Sequence, residues 1–178
     1  MKNLSFVLFS IMLIHLSFTA PSQEEKEKID WLTWEEAMEL NNEDGKKYFV
    51  DLYTEWCGYC KKMDRTTFKD EEVIKYVNQN FIPIKLDAEQ KEIIKYKGYE
   101  FKHKKDVGRR GMHEMAMALL EGVQRVGYPT YVYLDSEQNR ITISPGYKPS
   151  RDMLMELSFI SGDHYKTTKF DDFAKNYN

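Results

Sequence analysis

The feature that most restricts how this chain can fold and act is a pair of cysteines, Cys57 and Cys60, separated by only two residues. The sequence contains no other cysteine. A disulfide between them closes a very small ring, so it gains little loop entropy and cannot join distant parts of a fold. An aromatic and β-branched run over 47–53 precedes the pair and predicts a strand. We therefore expect the cysteines where a strand ends and a helix begins, an edge at which open α/β sheets tend to keep their chemistry.

Their spacing suits a reversible redox pair. Cysteines at i and i+3 in a first helical turn face the same side, so they can join or part with little backbone movement. At a helix N-terminus, free backbone N–H groups and the helix dipole lower a thiol pKa from about 8.5 into a range of roughly 3.5–7.5. We predict that Cys57 is the attacking nucleophile and Cys60 the resolving thiol. Gly58 between them permits close approach of a partner backbone.

Metal binding is the alternative use of such a pair. Zinc needs a second pair or histidines at ligand spacing, and the four histidines have none. Haem attachment needs a histidine directly after the second cysteine, where this chain has Lys61. The methionines could complete a copper site, but they fall on predicted apolar helix faces. We predict no metal and no cofactor, and copper handling stays open as a minor alternative.

The N-terminus has the pattern of a secretory signal. Lys2 precedes an apolar run over 4–18, and small residues follow around Ala20 and Ser22. We predict a signal peptide over 1–22, with an uncleaved membrane anchor as the alternative. The protein is then exported, to the periplasm in a host with two membranes, where disulfides persist. The expected partners are exported proteins with thiols or disulfides, and an upstream thiol donor or acceptor that could be membrane-bound.

The order of elements predicts an α/β fold with a mixed sheet flanked by helices over 23–162, followed by a polar, aromatic tail over 163–178. Pro83 within the strand over 81–87 removes a backbone donor, which indicates an edge strand or a strand end. The other predicted elements are helices beginning at Trp34 and after Asp70, a helix over 60–68, a hairpin over 93–102, a helical face from Met112 to Leu120, strands over 130–134 and 140–144, and a helix capped by Ser150. The net charge of −3, without a concentrated basic face, argues against a nucleic-acid partner.

The stretch over 50–61, which reads VDLYTEWCGYCK, resembles the active-site segment of thioredoxin. Gly127-Tyr128-Pro129-Thr130 resembles the loop of that family in which the proline is cis and faces the cysteines. Together these motifs cover most of 50–157. The chain is thus identified as a member of the thioredoxin-like superfamily. A narrower resemblance, over 51–73, is to the C-terminal periplasmic domain of the membrane thiol-reducing transporters.

The resemblance implies roles for further residues. Asp51 falls on the buried acid that assists proton transfer at the second cysteine, and Lys85 falls on its neighbouring lysine. The expected substrate contacts are Trp56, Gly58, Tyr59, Tyr128, Pro129 and, on the same surface, Gly146. A carboxylate in an apolar strand should have a raised pKa for purely physical reasons, whereas an exposed Asp51 paired with a surface lysine is the alternative.

Two features depart from thioredoxin. Tyr59 replaces its proline, which leaves the direction of electron flow open. The segment 88–126, which we call the insert, is far longer than the usual connection before the cis-proline loop and either shapes substrate choice or elaborates the scaffold. We predict a protein thiol–disulfide oxidoreductase acting as reductant or isomerase, and the alternative is a thioredoxin-fold binding module whose disulfide is inert.

Overall fold

The computed structural model describes residues 27–177, so the predicted signal peptide over 1–22 lies outside the described residues. The chain passes in order through α1 (Trp34–Glu39), β1 (Lys47–Tyr53), α2 (Gly58–Arg65), α3 (Glu71–Asn80), β2 (Phe81–Asp87), β3 (Ile94–Tyr96), β4 (Tyr99–Phe101), β5 (His103–Lys104), β6 (Met112–His113), α4 (Glu114–Leu119), β7 (Thr130–Leu134), β8 (Arg140–Pro145), α5 (Ser150–Ser161) and α6 (Phe170–Lys175). Short 3₁₀ turns at Thr67–Lys69 and His164–Lys166 join some of them.

A four-stranded mixed sheet in the order β2-β1-β7-β8 organises these elements. β1 pairs parallel with β2 and antiparallel with β7, which pairs antiparallel with β8. Strand β2 forms the edge that Pro83 predicted. The Lys85 N–H donates outward to the Leu32 carbonyl at 3.0 Å. Pro83 precedes Lys85 by two residues, so its nitrogen also points outward, away from β1. The missing N–H of Pro83 therefore removes no hydrogen bond between β1 and β2.

Alternation along β1 divides the core between the two faces of the sheet. Val50 and Leu52 point toward α1 and the insert, whereas Phe49 points toward α3 and α5. Asp51 shares the face of Phe49 and lies opposite Tyr131 in the register with β7. The strand pattern thus directs one carboxylate into an otherwise apolar layer.

The insert is folded into the core. Its hairpin turns at Lys97 and Gly98, both with positive φ (48° and 78°), which suits a two-residue hairpin turn. Ile94 and Met115 are buried in the cluster that also contains Leu52. The insert therefore contributes to the scaffold.

Three predicted boundaries were wrong. Helix α2 begins at Gly58 rather than Cys60 and ends at Arg65, where the Thr66 hydroxyl donates back to the Lys62 carbonyl at 2.8 Å. Met112 belongs to β6, because the His113 ring nitrogen Nδ1 accepts from the Met115 N–H at 3.2 Å and so caps α4 after it.

The start of α5 also differs from the prediction by one residue. Ser150 is the first residue of the helix rather than its cap. Pro149 is the cap, because its carbonyl already accepts the Met153 N–H at 3.0 Å. The predicted tail contains α6, whose Phe173 ring lies 5.2 Å from that of Phe159 in α5.

Candidate active site

Cys57 is the N-cap of α2 and forms a disulfide with Cys60. The turn after β1 places it there, since the Cys57 N–H donates to the Thr54 carbonyl at 3.0 Å. Cys57 Sγ accepts the Cys60 N–H at 3.0 Å. Both cysteines are almost fully buried in this oxidised state, at 4% and 3% exposure. When the disulfide opens, the same N–H and the helix dipole are positioned to stabilise a thiolate on Cys57.

Asp51 is the buried carboxylate of the site. Its residue is 1% exposed, which excludes the alternative of an exposed residue at a strand end. Oδ2 accepts from Lys85 Nζ at 3.0 Å, and Oδ1 has no hydrogen-bond partner among residues 27–177. Burial raises the pKa of Asp51 to about 6, even though the Lys85 charge pulls it down. The carboxyl therefore changes its charge close to neutral pH, as a proton acceptor must.

Lys85 joins Asp51 to a second carboxylate, Asp64. Its ammonium donates to Asp64 Oδ1 as well as to Asp51. Burial alone would lower the pKa of Lys85, but the charges of the two carboxylates raise it above its ordinary value. Asp64 was not among the predicted site residues. Its position four residues after Cys60 in α2 could have revealed it, since i and i+4 share a helix face.

Exposed aromatic rings surround the cysteines. Trp56 is 52% and Tyr59 62% exposed, and Gly58 between them is exposed as well. The Tyr59 ring lies 6.2 Å from that of Tyr147, a residue that the sequence analysis did not predict for this surface. Exposed aromatic rings are typical of surfaces that contact other proteins.

The peptide bond between Tyr128 and Pro129 is cis, as the resemblance implied. Thr130, the next residue, pairs with Leu52 near the end of β1, which brings the loop to the same edge as the cysteines. The Trp56 and Tyr128 rings meet edge to face, with centroids 6.1 Å apart. Gly146, at a positive φ of 98°, donates its N–H to the Pro129 carbonyl at 2.8 Å. The structure thus gathers the predicted substrate contacts on one surface, and their roles stay predictions.

Over residues 27–177 no group of three or more histidine, cysteine, aspartate or glutamate side chains is arranged to hold a metal ion. None of the helices in that part of the chain has the length and apolarity that crossing a membrane requires.

The raised pKa of Asp51 predicts how stability depends on pH. The folded state holds this proton up to about pH 6, whereas the unfolded chain releases it near its ordinary value of 3.8. Stability therefore falls as the pH rises between these values, by about 3 kcal/mol for a difference of about two pKa units. Asp51→Asn removes the buried charge and is expected to raise the free energy of unfolding by up to that amount at about pH 7.5, but little at about pH 4.

Urea titrations of the oxidised protein at the two pH values measure this difference. Asp152→Asn, at an exposed position in the first turn of α5, is the matched control and should change little at either pH. An equal gain for Asp51→Asn at both pH values would contradict the assignment.

The sheet order, the cysteine pair at a helix N-terminus and the adjacent cis-proline define a class: thioredoxin-fold proteins with a C-x-x-C disulfide. The sequence profile of the thioredoxin-like domain matches residues 34–161, and the chain belongs to this family.

Comparison with solved structures supports the fold. A thioredoxin-fold protein from Helicobacter pylori is 23% identical, with a TM-score of 0.53, over 75% of this chain and 81% of that one. A Bacteroides thetaiotaomicron protein proposed to be a disulphide isomerase is 22% identical, with a TM-score of 0.54, over 82% and 98%.

Among curated proteins, human spermatogenesis-associated protein 20 is 26% identical over 80 residues, which is 44% of this chain. The matches span about a tenth of the length of the first such relatives.

Proposed function

We propose that the protein is an exported thiol–disulfide oxidoreductase that reduces or isomerises disulfides in other exported proteins. The observation that carries this proposal is the position of Cys57. Its sulfur lies at the N-terminus of α2, accepts a backbone N–H, and is flanked by exposed aromatic rings and a cis-proline loop. A structural disulfide needs none of these surroundings.

The first step uses the reduced protein. The Cys57 thiolate attacks one sulfur of a substrate disulfide, forms a mixed disulfide with it, and expels the other substrate sulfur as a thiolate. The helix N-terminus stabilises the attacking thiolate, which raises the fraction of Cys57 that is reactive near neutral pH. Gly58 is exposed, and a Cβ built on it would meet no atom within 4 Å apart from its chain neighbours and the backbone of its own helix.

The second step closes the intramolecular disulfide. Cys60 loses its proton, attacks Cys57 Sγ and releases the substrate as a dithiol, so that the substrate gains two electrons and the protein becomes oxidised. Asp51 is the proposed acceptor of the Cys60 proton, because its pKa of about 6 leaves it largely ionised at neutral pH. Lys85 holds that carboxylate in place. An upstream thiol donor then reduces Cys57–Cys60 for the next cycle.

Export to the periplasm, through a signal peptide over 1–22, is part of the proposal and rests on the sequence pattern. Cell fractionation with an N-terminal sequence of the mature protein tests it. Recovery of the full-length chain in the cytoplasm would overturn it.

The reduction potential of Cys57–Cys60 tests the direction of electron flow. We expect a value between those of thioredoxin and of protein disulfide isomerase, about −270 to −180 mV, in equilibrium with a dithiothreitol or glutathione series read by thiol alkylation. A value near −120 mV would mark an oxidant and overturn the proposed direction.

The double variant Cys57→Ser/Cys60→Ser is the control for alkylation. If the wild-type cysteines fail to cycle at all, the redox proposal falls and the binding module remains.

A further inference from the structure

A groove of about 510 Å³ adjoins the active-site loop. It is lined by Glu55 and Trp56 from that loop, by Asp87 at the end of β2, and by Glu89 and Arg110 from the insert. Trp56, which lines the groove, directly precedes the nucleophile Cys57 in the chain. One wall of the groove is therefore built by the segment that departs from thioredoxin.

Two insert residues hold the Trp56 side chain. The indole Nε1–H donates to Glu89 Oε1 at 3.0 Å. The Arg110 guanidinium lies 5.7 Å from the centroid of the same indole, within the range of a cation–π contact. The Tyr128 ring meets Trp56 edge to face, from the cis-proline loop. The Trp56 indole, although 52% exposed, is thus held by three side-chain contacts.

Glu89 and Arg110 contact the Trp56 side chain, whereas a neighbouring charged residue does not. The neighbouring Arg109 is also exposed and makes no ion pair or cation–π contact within residues 27–177. Glu89 and Arg110 are 21 residues apart and lie on either side of the β3–β4 hairpin. The insert between and after them is anchored in the core by the buried side chains of Ile94 and Met115. Because these anchoring side chains are closely packed, the insert can fix the orientation of the Trp56 ring instead of moving with it.

We propose that Glu89 and Arg110 are specificity-determining residues that position Trp56 for a polypeptide substrate. With the ring held, Trp56 presents a fixed apolar face to the segment beside the target cysteine, which lowers the ordering cost of binding. A small disulfide does not reach the groove and gains nothing from this arrangement. The insert then favours protein disulfides over small ones.

This inference rests on the proposed function, and the test separates the two. The kcat/KM of the full mature chain is measured with a disulfide-bonded peptide and with hydroxyethyl disulfide. The value for the peptide divided by the value for hydroxyethyl disulfide is the ratio compared among variants. Glu89→Ala and Arg110→Ala should each lower the ratio by about two- to tenfold, the range expected for loss of one hydrogen bond or one cation–π contact. Glu89→Gln keeps an acceptor and Arg110→Lys keeps a cation, so both should restore most of it.

Matched controls lie in the same insert. Arg109→Ala and Glu121→Ala remove the same charges from exposed positions that make no hydrogen bond or cation–π contact with Trp56, and their ratios should equal that of the wild type. In a Trp56→Ala background, Glu89→Ala and Arg110→Ala should have no further effect, because the ring through which they act is absent.

Three outcomes distinguish the hypotheses. A wild-type protein that turns over neither disulfide overturns the proposed function. A wild type that turns over both, with unchanged ratios in Glu89→Ala and Arg110→Ala, overturns this inference alone. Ratios that fall equally in the Trp56→Ala background also overturn it, since the residues would then act without the indole.

Discussion

Cys57→Ser is expected to abolish disulfide exchange, whereas Cys60→Ser is expected to stop it halfway. A serine hydroxyl at position 57 is un-ionised at neutral pH and cannot form a disulfide, so the substrate is never attacked. With Cys60 replaced, Cys57 still attacks, but no thiol is present to resolve the mixed disulfide. The structure predicts this asymmetry, because Cys57 is the N-cap of α2 while Cys60 lies inside the helix.

The measurement is a mass spectrum of each reduced variant after incubation with a dimer of two peptide chains joined by one disulfide, without added reductant. Cys60→Ser should gain the mass of one peptide chain, Cys57→Ser should remain unmodified, and the wild type should end as its own disulfide with free peptide thiols. A peptide adduct on Cys57→Ser and none on Cys60→Ser would reverse the assignment of the two roles.

Asp51→Asn is expected to slow the release of substrate by about 100-fold at neutral pH, the lower end of the range for a general base. The amide cannot accept the Cys60 proton, and water has little access to a site in which Asp51 is 1% exposed. In the wild type the rate of release should rise with pH as Asp51 ionises, with an inflection near its pKa of about 6. That inflection should be absent from the variant.

Stopped-flow measurement of the decay of a preformed mixed disulfide, from about pH 5 to 8, isolates this step. Asp152→Asn is again the control for the loss of one negative charge at the surface. Because Asp51→Asn is expected to stabilise the fold at neutral pH, slower release cannot be ascribed to unfolding. An unchanged pH profile in Asp51→Asn would remove Asp51 from the proton path.

The elements that were predicted correctly are those fixed by interactions between residues close together in the sequence. Asp70 caps α3 as predicted, with Oδ1 accepting the Glu72 N–H at 3.0 Å and the Val73 N–H at 3.3 Å, because N-capping depends on residues within one turn. The strands over 47–53 and 81–87 match their predicted bounds, since period and residue type mark them directly. The boundary errors at α2 and α4 arose where a side chain bonded to nearby backbone, as His113 does in capping α4.

The sequence by itself determined the fold class and the position of the cysteine pair, because each depends on short runs of residues. The resemblance to thioredoxin indicated the cis-proline loop and Asp51, but left the burial of Asp51 open. Only the tertiary structure decided the remaining contacts: Asp64 on Lys85, and Glu89 and Arg110 on Trp56. These partners lie 21 to 54 residues apart, and no periodic pattern marks a contact that closes over such a distance. The raised pKa of Asp51 also depends on the tertiary structure, because it is caused by burial and only packing creates that burial.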